Sequence, residues 1–464
     1  MTMWTPDLRQ RSGPRYIAIA EALAEDAGGG RLRPGTRLPT HRDLADRLGV
    51  TVGTITRAYA EATRRGLVTG EVGRGTFVRA SARPLAAVAP IPDAGLIDLS
   101  ANLPPAVATK QEAATLARTL AALARRQDLG RLLAYPPEGG AREHRAAGAE
   151  WVRRGGLTTT VERVLVTSGS QHGMTSVFAA LFGPGDVIAT EALTYPGMKA
   201  LAGLLALRLH GVALDEHGLR PDAFAAACRT RRPKALYCVP TLQNPTTAVM
   251  PASRRQEIAA IARDHGVLIV EDDVHGRLLA RPQPPLSSFA PENSVYVTGT
   301  SKVLAPGLRI GFTVAPPALG PRIAAAIRGT TWMAAPLMAE IASRWIQDGT
   351  AETILARKRK EAAARYRLAR KGLDRFAVQA HPEAYHLWLG LPKPWRAESY
   401  VEAARRAGVA VTAASAFAVG RGAAPEAVRL CLGAARDLDE LSRAVTRLAA
   451  LLAGSPEAPV ASGP

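Results

Sequence analysis

Cysteine is scarce in this chain of 464 residues, which contains three cysteines at scattered positions, Cys228, Cys238 and Cys431. Their odd count and their spacing match neither a disulfide framework nor a metal-binding motif, and reduced thiols favour a cytosolic compartment. The first 16 residues lack the apolar segment of a secretory signal, and no run of 18 or more predominantly apolar residues occurs. We therefore expect a soluble, cytoplasmic protein with no metal and no membrane partner.

Acidic residues are also in the minority, with 40 Asp and Glu against 59 Lys and Arg, so the formal net charge is +19. Such an excess suggests an acidic partner. However, lysine is scarce while arginine and alanine are abundant, so a compositional bias of the genome accounts for the charge equally well. The length and the 47% of hydrophobic residues allow sizeable cores, and we expect two unequal folded units.

The first eighty residues predict three helices followed by a hairpin. Apolar residues recur at helical spacing between 13 and 27, and three glycines end that helix. Thr40 is placed to cap a short second helix that Gly49 ends, and Thr51 is placed to cap a third. Between 66 and 78, β-forming residues alternate around a Gly-Arg-Gly tip, which is typical of a two-stranded hairpin with a basic tip.

Short motifs in this segment fall in the order of a known DNA-binding family. They are Pro34-Gly35, Leu38-Pro39, Arg42-Asp43-Leu44-Ala45, Leu48-Gly49-Val50, Thr54-Ile55-Thr56-Arg57-Ala58-Tyr59 and Gly73-Arg74-Gly75-Thr76-Phe77-Val78. In this order they resemble the winged helix-turn-helix domain of GntR-type regulators. The resemblance implies that the third helix enters the major groove of a double-stranded DNA operator, and that the hairpin reaches the adjacent backbone or minor groove.

The same resemblance assigns the DNA contacts. They would be Arg42, Thr51, Thr54, Thr56, Arg57 and Arg74. Val52 departs from the pattern, because the family often has a polar residue there, and this puts base readout at that position in doubt. The alternative is a winged domain used only for protein packing, but the hydroxyl and arginine content of the groove-facing end favours DNA.

A linker is predicted at residues 80–95, which are rich in Ala, Pro and Val and show no amphipathic period. We therefore expect a DNA-binding domain at 1–79, a large domain at 96–453 and a disordered tail at 454–464. A linker of this length permits two subunits to exchange their DNA-binding domains. The alternative is a loop that packs on one domain.

Short apolar or β-branched runs alternate with Ala-rich helical stretches in the large domain. The strand candidates are Val164–Val166, Asp186–Ala189, Ala235–Val239, Val267–Val270, Ser294–Thr298 and Phe312–Ala315. Their alternation with helices predicts an α/β fold with a mainly parallel, doubly wound sheet. Ligands of such sheets bind at the carboxyl ends of the strands, so the residues that follow each run are the candidates for chemistry.

One of these strand ends leads through small residues to Lys302 and, seven residues later, to Arg309. A lysine there can form a Schiff base with an aldehyde cofactor if its surroundings lower its pKa, and a guanidinium can hold a phosphate through two hydrogen bonds. Lys302 is therefore a candidate cofactor anchor. The alternative is a solvated lysine and arginine, and this segment alone does not decide between the two.

Two further strand ends suit an anionic or cationic group. Gly169, Ser170 and Gln171 lie where a strand turns into a helix, so backbone N–H groups there could cradle a phosphate. Asp272 follows a run that is typical of a buried central strand, where a carboxylate needs a cation such as a pyridinium nitrogen. The alternatives are an ordinary turn for the first and a structural salt bridge or helix cap for the second.

Two side chains would suit an aromatic cofactor, since Asn244 offers an amide donor to a phenolate oxygen and Tyr195 a face for stacking. Taken in order, these candidates resemble the fold-type I pyridoxal-phosphate enzymes, the aspartate aminotransferase superfamily, from about Ile97 to Leu452. The resemblance implies a smaller carboxy-terminal lobe and pyridoxal 5′-phosphate as cofactor. Either side chain taken alone is also compatible with an ordinary turn or core position.

The resemblance also assigns roles to individual residues. The phosphate would be held by Gly169, Ser170, Gln171, Ser301 and Arg309, and by Tyr135 of the neighbouring subunit. Around the ring, Tyr195 would stack, Asn244 would meet O3′, Asp272 would pair with the nitrogen and Lys302 would form the Schiff base. Arg429 would bind the α-carboxylate of an amino acid.

Two positions depart from the enzyme pattern. His275 stands where a tyrosine is common, three residues after the ring aspartate; it could still donate to O3′, but we expect it to titrate near neutrality. Gly299 stands where a serine or threonine often binds phosphate. Cofactor binding should survive both changes, whereas efficient transamination is in doubt.

The whole chain resembles the MocR-type regulators, in which a GntR-type domain is joined to an aminotransferase-like domain. This implies a homodimeric transcription factor that senses pyridoxal phosphate or its adduct with an amine or amino acid effector. One alternative is a working aminotransferase that carries a DNA-binding module. Another, a domain kept only for dimerisation, is disfavoured because the cofactor residues are intact.

Overall fold

The computed structural model describes residues 4–8, 14–28, 31–32, 35–64, 67–71, 75–78, 95–105, 109–420 and 424–454. The chain divides into two compact units, Met1–Ala87 and Val88–Pro464. Nearly all of the predicted linker and tail lies outside the described residues, so the predicted domain boundaries stay predictions. No helix among the described residues has the length and apolar character needed to cross a membrane.

The described residues of the smaller unit form three helices and a hairpin, as predicted. These are α1 (Arg15–Gly28), α2 (His41–Leu48), α3 (Val52–Arg64), β1 (Val68–Glu71) and β2 (Gly75–Val78), with β1 and β2 antiparallel. The Thr40 hydroxyl accepts a hydrogen bond from the Asp43 amide at the start of α2, and Gly49 ends that helix with a left-handed φ of 60°. Leu23, Leu44 and Ile55 are fully buried in the common core of the helices.

The larger unit is mixed α/β. Its described helices are α4 (Thr109–Ala124), α5 (Arg142–Arg154), α6 (Ser170–Leu181), α7 (Pro196–Leu204), α8 (Pro221–Arg231), α9 (Ala252–Asp264), α10 (Gly320–Thr331), α11 (Pro336–Gln347), α12 (Thr350–Gly372), α13 (Ala397–Arg406) and α14 (Leu438–Ala453). Its described strands are β3 (Ile97–Asp98), β4 (Val164–Thr167), β5 (Val187–Glu191), β6 (Arg208–Val212), β7 (Leu214–Asp215), β8 (Gly218–Leu219), β9 (Ala235–Cys238), β10 (Leu268–Asp272), β11 (Ser294–Gly299), β12 (Gly311–Val314), β13 (Val378–Ala380), β14 (Leu387–Gly390), β15 (Val409–Ala410), β16 (Thr412–Ala413) and β17 (Ala427–Leu430).

Seven of these strands form one sheet in the order β4-β12-β11-β10-β9-β5-β6. All neighbouring pairs are parallel except those of β12, which runs antiparallel to both β11 and β4. The six predicted strands are all present, and the mainly parallel sheet is confirmed. Strand β6 was not predicted, because its Arg-Leu-His-Gly-Val sequence lies at the sheet edge, is mostly half-buried and lacks a continuous apolar run.

The carboxy-terminal lobe is built on a second sheet in the order β13-β14-β17-β16, with antiparallel neighbours. Its core includes Leu387, Leu389, Val428 and Leu430, which are fully buried. The pairing also places Trp388 of β14 opposite Arg429 of β17. One of the predicted site residues therefore lies on this lobe, and most of the others follow strands of the large sheet.

Candidate functional site

Lys302 follows the end of β11 by three residues and is half-buried. Its Nζ atom donates a hydrogen bond to the backbone carbonyl of Asn102. Burial lowers the pKa of Lys302 from 10.5 to about 8; the charges of Arg429 and Arg309 also lower it, while Cys431 and Asp272 oppose the shift. The amine is still mostly protonated at neutral pH, but its neutral fraction is far larger than that of an ordinary lysine, and the neutral form is the one that attacks an aldehyde.

Asp272 ends β10 and is 3% exposed. Its Oδ2 atom accepts a hydrogen bond of 2.7 Å from the Tyr237 hydroxyl, whereas its Oδ1 atom has no partner among the described residues. Burial raises the pKa of this carboxyl to about 6, against the opposing effect of the Tyr237 hydrogen bond. A buried carboxylate with one open oxygen suits a cationic N–H donor.

The predicted phosphate cradle comes together at the start of α6. Gly169 caps this helix with a φ of 87°, and a Cβ atom there would lie 2.6 Å from Nη2 of Arg309, so a glycine is required for this close approach. Nη1 of Arg309 donates to the Ser301 hydroxyl at 3.1 Å. The first helical residues, Ser170 and Gln171, follow directly, so a helix amino terminus, a hydroxyl and an exposed guanidinium meet at one place.

Gly299 lies against this cradle, since a Cβ atom added to it would be 3.4 Å from the Ser170 backbone nitrogen. A serine or threonine at this position would add a hydroxyl beside the helix terminus. The chain lacks that hydroxyl but keeps those of Ser301 and Ser170 together with Arg309. The departure therefore removes one group and leaves the rest of the cradle in place.

Arg429 and Asn244, which were predicted to bind different parts of the ligand, are in direct contact. Nη1 of Arg429 donates to Oδ1 of Asn244 at 2.8 Å, and Nη2 donates to the Ser100 carbonyl at 2.5 Å. Both side chains are buried, and the Arg429 guanidinium lies 4.8 Å from the ring centre of Phe417. The Arg429 Nε atom has no partner within the described residues, so the buried guanidinium retains a free donor.

Tyr195 stands at the start of α7, where its ring folds over Gly197. Burial and the negative charge of Asp272 raise its pKa, while Arg429 and Arg309 act in the opposite direction. Tyr195 is thus within electrostatic reach of three other predicted site residues. Its stacking role stays a prediction.

His275 is 3% exposed, and neither of its ring nitrogens has a partner in the described part of the chain. Burial and the charge of Lys302 hold its pKa well below 6.5. The expectation that His275 titrates near neutrality is therefore wrong, because the protonated ring would be an uncompensated buried cation next to other cations. A neutral His275 can still donate one hydrogen bond and accept another.

Tyr135 is 75% exposed and lies 5.5 Å from the exposed ring of Trp332, measured between ring centres. It is a surface residue of its own subunit, and its contact with the phosphate of a neighbour stays a prediction.

Sequence reasoning missed several residues that complete the site. They are Ser100, Asn102, Tyr237, Tyr385 and His386. Tyr237 lies inside β9, and the Tyr385 hydroxyl donates to the Lys302 carbonyl at 2.9 Å. Tertiary packing brings most of them to the site, and no sequence motif marks them. The one usable signal was His386, a titratable residue beside an apolar strand.

In the smaller unit, Arg42, Thr51, Thr56 and Arg57 are exposed, and Thr54 is half-buried. The threonine hydroxyls are engaged locally, since Thr51 accepts from the Thr54 amide at 3.2 Å and Thr56 donates to the Val52 carbonyl at 3.0 Å. The guanidinium of Arg57 lies 4.4 Å from the ring centre of Tyr16 on α1. Arg74 lies outside the described residues.

The residues of the larger unit fit pyridoxal 5′-phosphate. Its ring nitrogen matches the open oxygen of Asp272, its phosphate matches the α6 terminus with Arg309, and its aldehyde matches Lys302. The fold and the site thus define a pyridoxal-phosphate-binding, aminotransferase-like protein that also carries a winged helix-turn-helix unit.

Comparison with known proteins identifies both units. The family model "Aminotransferase class I and II" matches residues 94–448, and the model "Bacterial regulatory proteins, gntR family" matches residues 15–78. The chain therefore belongs to the aminotransferase class I and II family and carries a GntR-family domain ahead of it.

The similar proteins include regulators and enzymes. YdeF of Bacillus subtilis, an uncharacterized HTH-type transcriptional regulator, is 31% identical over 450 residues, which cover 97% of this chain and 96% of YdeF. PdxR of Corynebacterium glutamicum, an HTH-type pyridoxine biosynthesis transcriptional regulator, is 28% identical and covers 67% of this chain and 68% of PdxR. The crystal structure of LysN, an α-aminoadipate aminotransferase from Thermus thermophilus complexed with N-(5′-phosphopyridoxyl)-L-leucine, has a TM-score of 0.69 and 28% identity, covering 77% of this chain and 92% of LysN.

Proposed function

We propose that this protein is a MocR-type transcriptional regulator. Its winged helix-turn-helix unit binds a double-stranded operator, and its aminotransferase-like unit senses pyridoxal phosphate or the adduct of pyridoxal phosphate with an amine or amino acid. Because the target is chromosomal DNA, the protein acts in the cytoplasm. The observation that carries the proposal is the presence of both sets of binding residues in one chain that aligns with an HTH-type regulator over 97% of its length.

In the proposed sensor, each side chain has a defined task. When bound, pyridoxal phosphate supplies an aldehyde and an electron-withdrawing ring. Asp272 would hold the ring nitrogen in its protonated form, and Arg309 with the start of α6 would hold the phosphate. The amine of Lys302 would hold the cofactor through the aldehyde. Arg429 binds the carboxylate of an effector that has one.

The proposed assembly is a homodimer. Leu133, Tyr135 and Trp332 are 91%, 75% and 58% exposed, which is unusual for large apolar side chains that lie near one another in sequence or space. A second copy of the chain would cover them and bring Tyr135 to the phosphate of the neighbouring subunit. Exchange of the DNA-binding units between subunits is compatible with the predicted linker.

A second candidate function is an active aminotransferase that carries a DNA-binding module. It is favoured by the completeness of the site, in which the lowered pKa of Lys302 and the buried carboxyl of Asp272 are the features that transamination requires. The loss of the tyrosine at position 275 and of the hydroxyl at 299 favours the sensor.

The proposal is tested by footprinting the full chain on the DNA upstream of its own gene and of the neighbouring genes, with and without pyridoxal phosphate. We expect a protected operator whose extent or affinity changes with the cofactor, and no cofactor effect in Lys302→Ala. Absence of any protected site would contradict the regulator function. Protection that is identical in both states would contradict cofactor sensing.

A further inference from the structure

His386 lies immediately before β14 and is 1% exposed. Its Nε2 atom is 3.0 Å from the backbone carbonyl of Gln243. Because a carbonyl only accepts hydrogen bonds, Nε2 carries the hydrogen, and in a neutral imidazole the other nitrogen is then an acceptor. That acceptor, Nδ1, has no partner within the described ranges.

The environment keeps this ring neutral. Burial and the charges of Arg429 and Lys302 lower the pKa of His386 to about 3, against the opposing effect of the Gln243 hydrogen bond. Nδ1 is therefore a lone-pair acceptor over the whole physiological range of pH. Almost all buried polar atoms of folded proteins have a partner, so an open acceptor of fixed orientation calls for an explanation.

The contacts of His386 place it beside the proposed effector site. Its Nε2 atom donates to the carbonyl of Gln243, and the side chain of the next residue, Asn244, accepts a hydrogen bond from Nη1 of Arg429 at 2.8 Å. The charge of Arg429, the guanidinium proposed to bind the effector carboxylate, also acts on the His386 ring. The ring of His275 is 5.9 Å away, centre to centre, with both nitrogens open, and Nε of Arg429 is open as well.

The proposed cofactor contacts do not use all of these unpaired nitrogen atoms. The proposed contacts of pyridoxal phosphate use Asp272, the α6 terminus and one nitrogen of His275, and none of them uses His386. We propose that Nδ1 of His386 accepts a hydrogen bond from the side chain of the effector, and that the effector is an amino acid carrying a neutral hydroxyl or carboxamide donor. This inference rests on the proposed function, whose effector it specifies.

The same chemistry excludes other side chains. A carboxylate would face the lone pair of Nδ1, a second acceptor, so acidic amino acids bind less well. An ammonium group would stand close to Lys302 and Arg429, which are both cationic, so basic amino acids are disfavoured too. An aliphatic side chain would leave Nδ1 without a partner. Hydroxyl and carboxamide groups remain, because they are neutral and can donate.

The test uses the full chain loaded with pyridoxal phosphate and two pairs of near-isosteric probes. L-Serine is compared with L-alanine, and L-asparagine with L-aspartate, by titrating the change in the cofactor absorption spectrum. We expect serine to bind about fivefold more tightly than alanine, the typical net effect of one neutral hydrogen bond. Asparagine should bind more tightly than aspartate by at least the same factor. The operator affinity, measured with each probe, should follow the same order.

Two variants separate the two ring nitrogens. His386→Gln can keep a donor to the Gln243 carbonyl but lacks an acceptor at the position of Nδ1. The ratio of the affinity for serine to the affinity for alanine should therefore fall to about one. His386→Asn places an amide oxygen near the position of Nδ1 and should keep a preference, although it loses the contact with Gln243. Comparing ratios between proteins cancels the intrinsic differences between the amino groups of the probes.

The outcomes are distinct. A serine preference that survives in His386→Gln, or a wild-type ratio near one with all four probes bound, overturns the His386 subsite and leaves the proposed function standing. No spectral response to any of the four overturns both the subsite and the amino acid branch of the sensing proposal. If neither variant folds, the wild-type affinity ratios of serine to alanine and of asparagine to aspartate still decide whether the subsite exists.

Discussion

At the scale of single residues, the proposed cofactor site depends on the opposite charges of half-buried Lys302 and buried Asp272. Lys302 has its pKa lowered chiefly by burial, and Asp272 has its pKa raised for the same reason. Each group is poised between its two protonation states near neutral pH, which is typical of residues that act in a binding or catalytic site. An ordinary surface lysine would be almost fully protonated at that pH.

The lowered pKa of Lys302 predicts how the rate of cofactor binding depends on pH. Only the neutral amine reacts with the aldehyde, and lowering the pKa from 10.5 to about 8 makes that form available at a lower pH. When pyridoxal phosphate is added to cofactor-free protein, the rate at which a visible absorption band appears should rise with pH and level off above about 8. Stopped-flow absorbance between about pH 6 and 10 measures it, and a midpoint near that of an ordinary lysine would contradict the assignment.

Two variants complete this prediction. Lys302→Ala should show no band that depends on a lysine, whereas Lys234→Ala, which removes an exposed lysine paired with Asp186, should behave as the wild type. A band of unchanged position and intensity in Lys302→Ala would refute the role of Lys302.

Residues that follow predicted strands could be found from the sequence, because the end of a parallel strand is where ligands bind. Lys302 and Asp272 were identified in this way. Tyr237 could not be found, because tertiary packing brings it to the site and no local motif marks it. For His386 the one signal was a titratable residue beside an apolar strand. The charge state of His275 also depends on burial, which a sequence of this kind does not specify at one position.

At the scale of elements, the proposed DNA recognition depends on α3. Thr51 just before the helix and Thr56 and Arg57 in its first turns are exposed to solvent, and the Arg57 guanidinium stacks on Tyr16 of α1. A guanidinium held at a ring face loses less side-chain freedom when it contacts DNA. Val52 is 44% exposed on the same turn and offers an apolar surface, which suits a thymine methyl group better than a hydrogen-bonding base edge.

We predict that Arg42→Ala and Arg57→Ala each weaken operator binding by about 1–3 kcal/mol, the usual effect of losing a charged, well-formed contact. If the lost contact is to a phosphate, the salt dependence of binding also falls by about one unit of slope. Fluorescence anisotropy at several salt concentrations measures both effects. Arg229→Ala removes an exposed arginine from α8 of the larger unit and serves as the control. Full operator affinity in both test variants would argue against this face.

The elements themselves were largely predictable. Caps such as Thr40 and Gly49 mark helix ends through local chemistry, and buried parallel strands appear as continuous apolar runs. Strand direction is not encoded in such runs, so the antiparallel course of β12 could not be predicted. The edge strand β6 was not predicted from the sequence because it is only partly buried.

At the scale of the whole molecule, we propose that a second subunit completes the site. Tyr135 is exposed beside Trp332, and the residues around it leave apolar surface uncovered. We predict a homodimer in the presence of pyridoxal phosphate, and Tyr135→Phe should keep the dimer while weakening cofactor retention. Sedimentation velocity at micromolar concentration, combined with cofactor release on dialysis, measures both properties. A monomer with bound cofactor would contradict the shared site.

We propose that the larger unit regulates DNA binding by the smaller one. A ligand changes DNA affinity only through its different affinities for the DNA-competent and incompetent states, and DNA must change the affinity for the ligand by the same factor. An enzyme with an incidental DNA-binding module would show sustained turnover of an amino acid and an oxoacid, with DNA affinity indifferent to the cofactor.

Operator titrations on cofactor-free and cofactor-loaded protein, run beside a steady-state transamination assay, test this claim most directly. We predict operator affinities that differ by about 1–3 kcal/mol, matched by an equal effect of operator DNA on cofactor affinity. Equal operator affinities together with multiple turnovers would contradict the sensor and make the aminotransferase the better account.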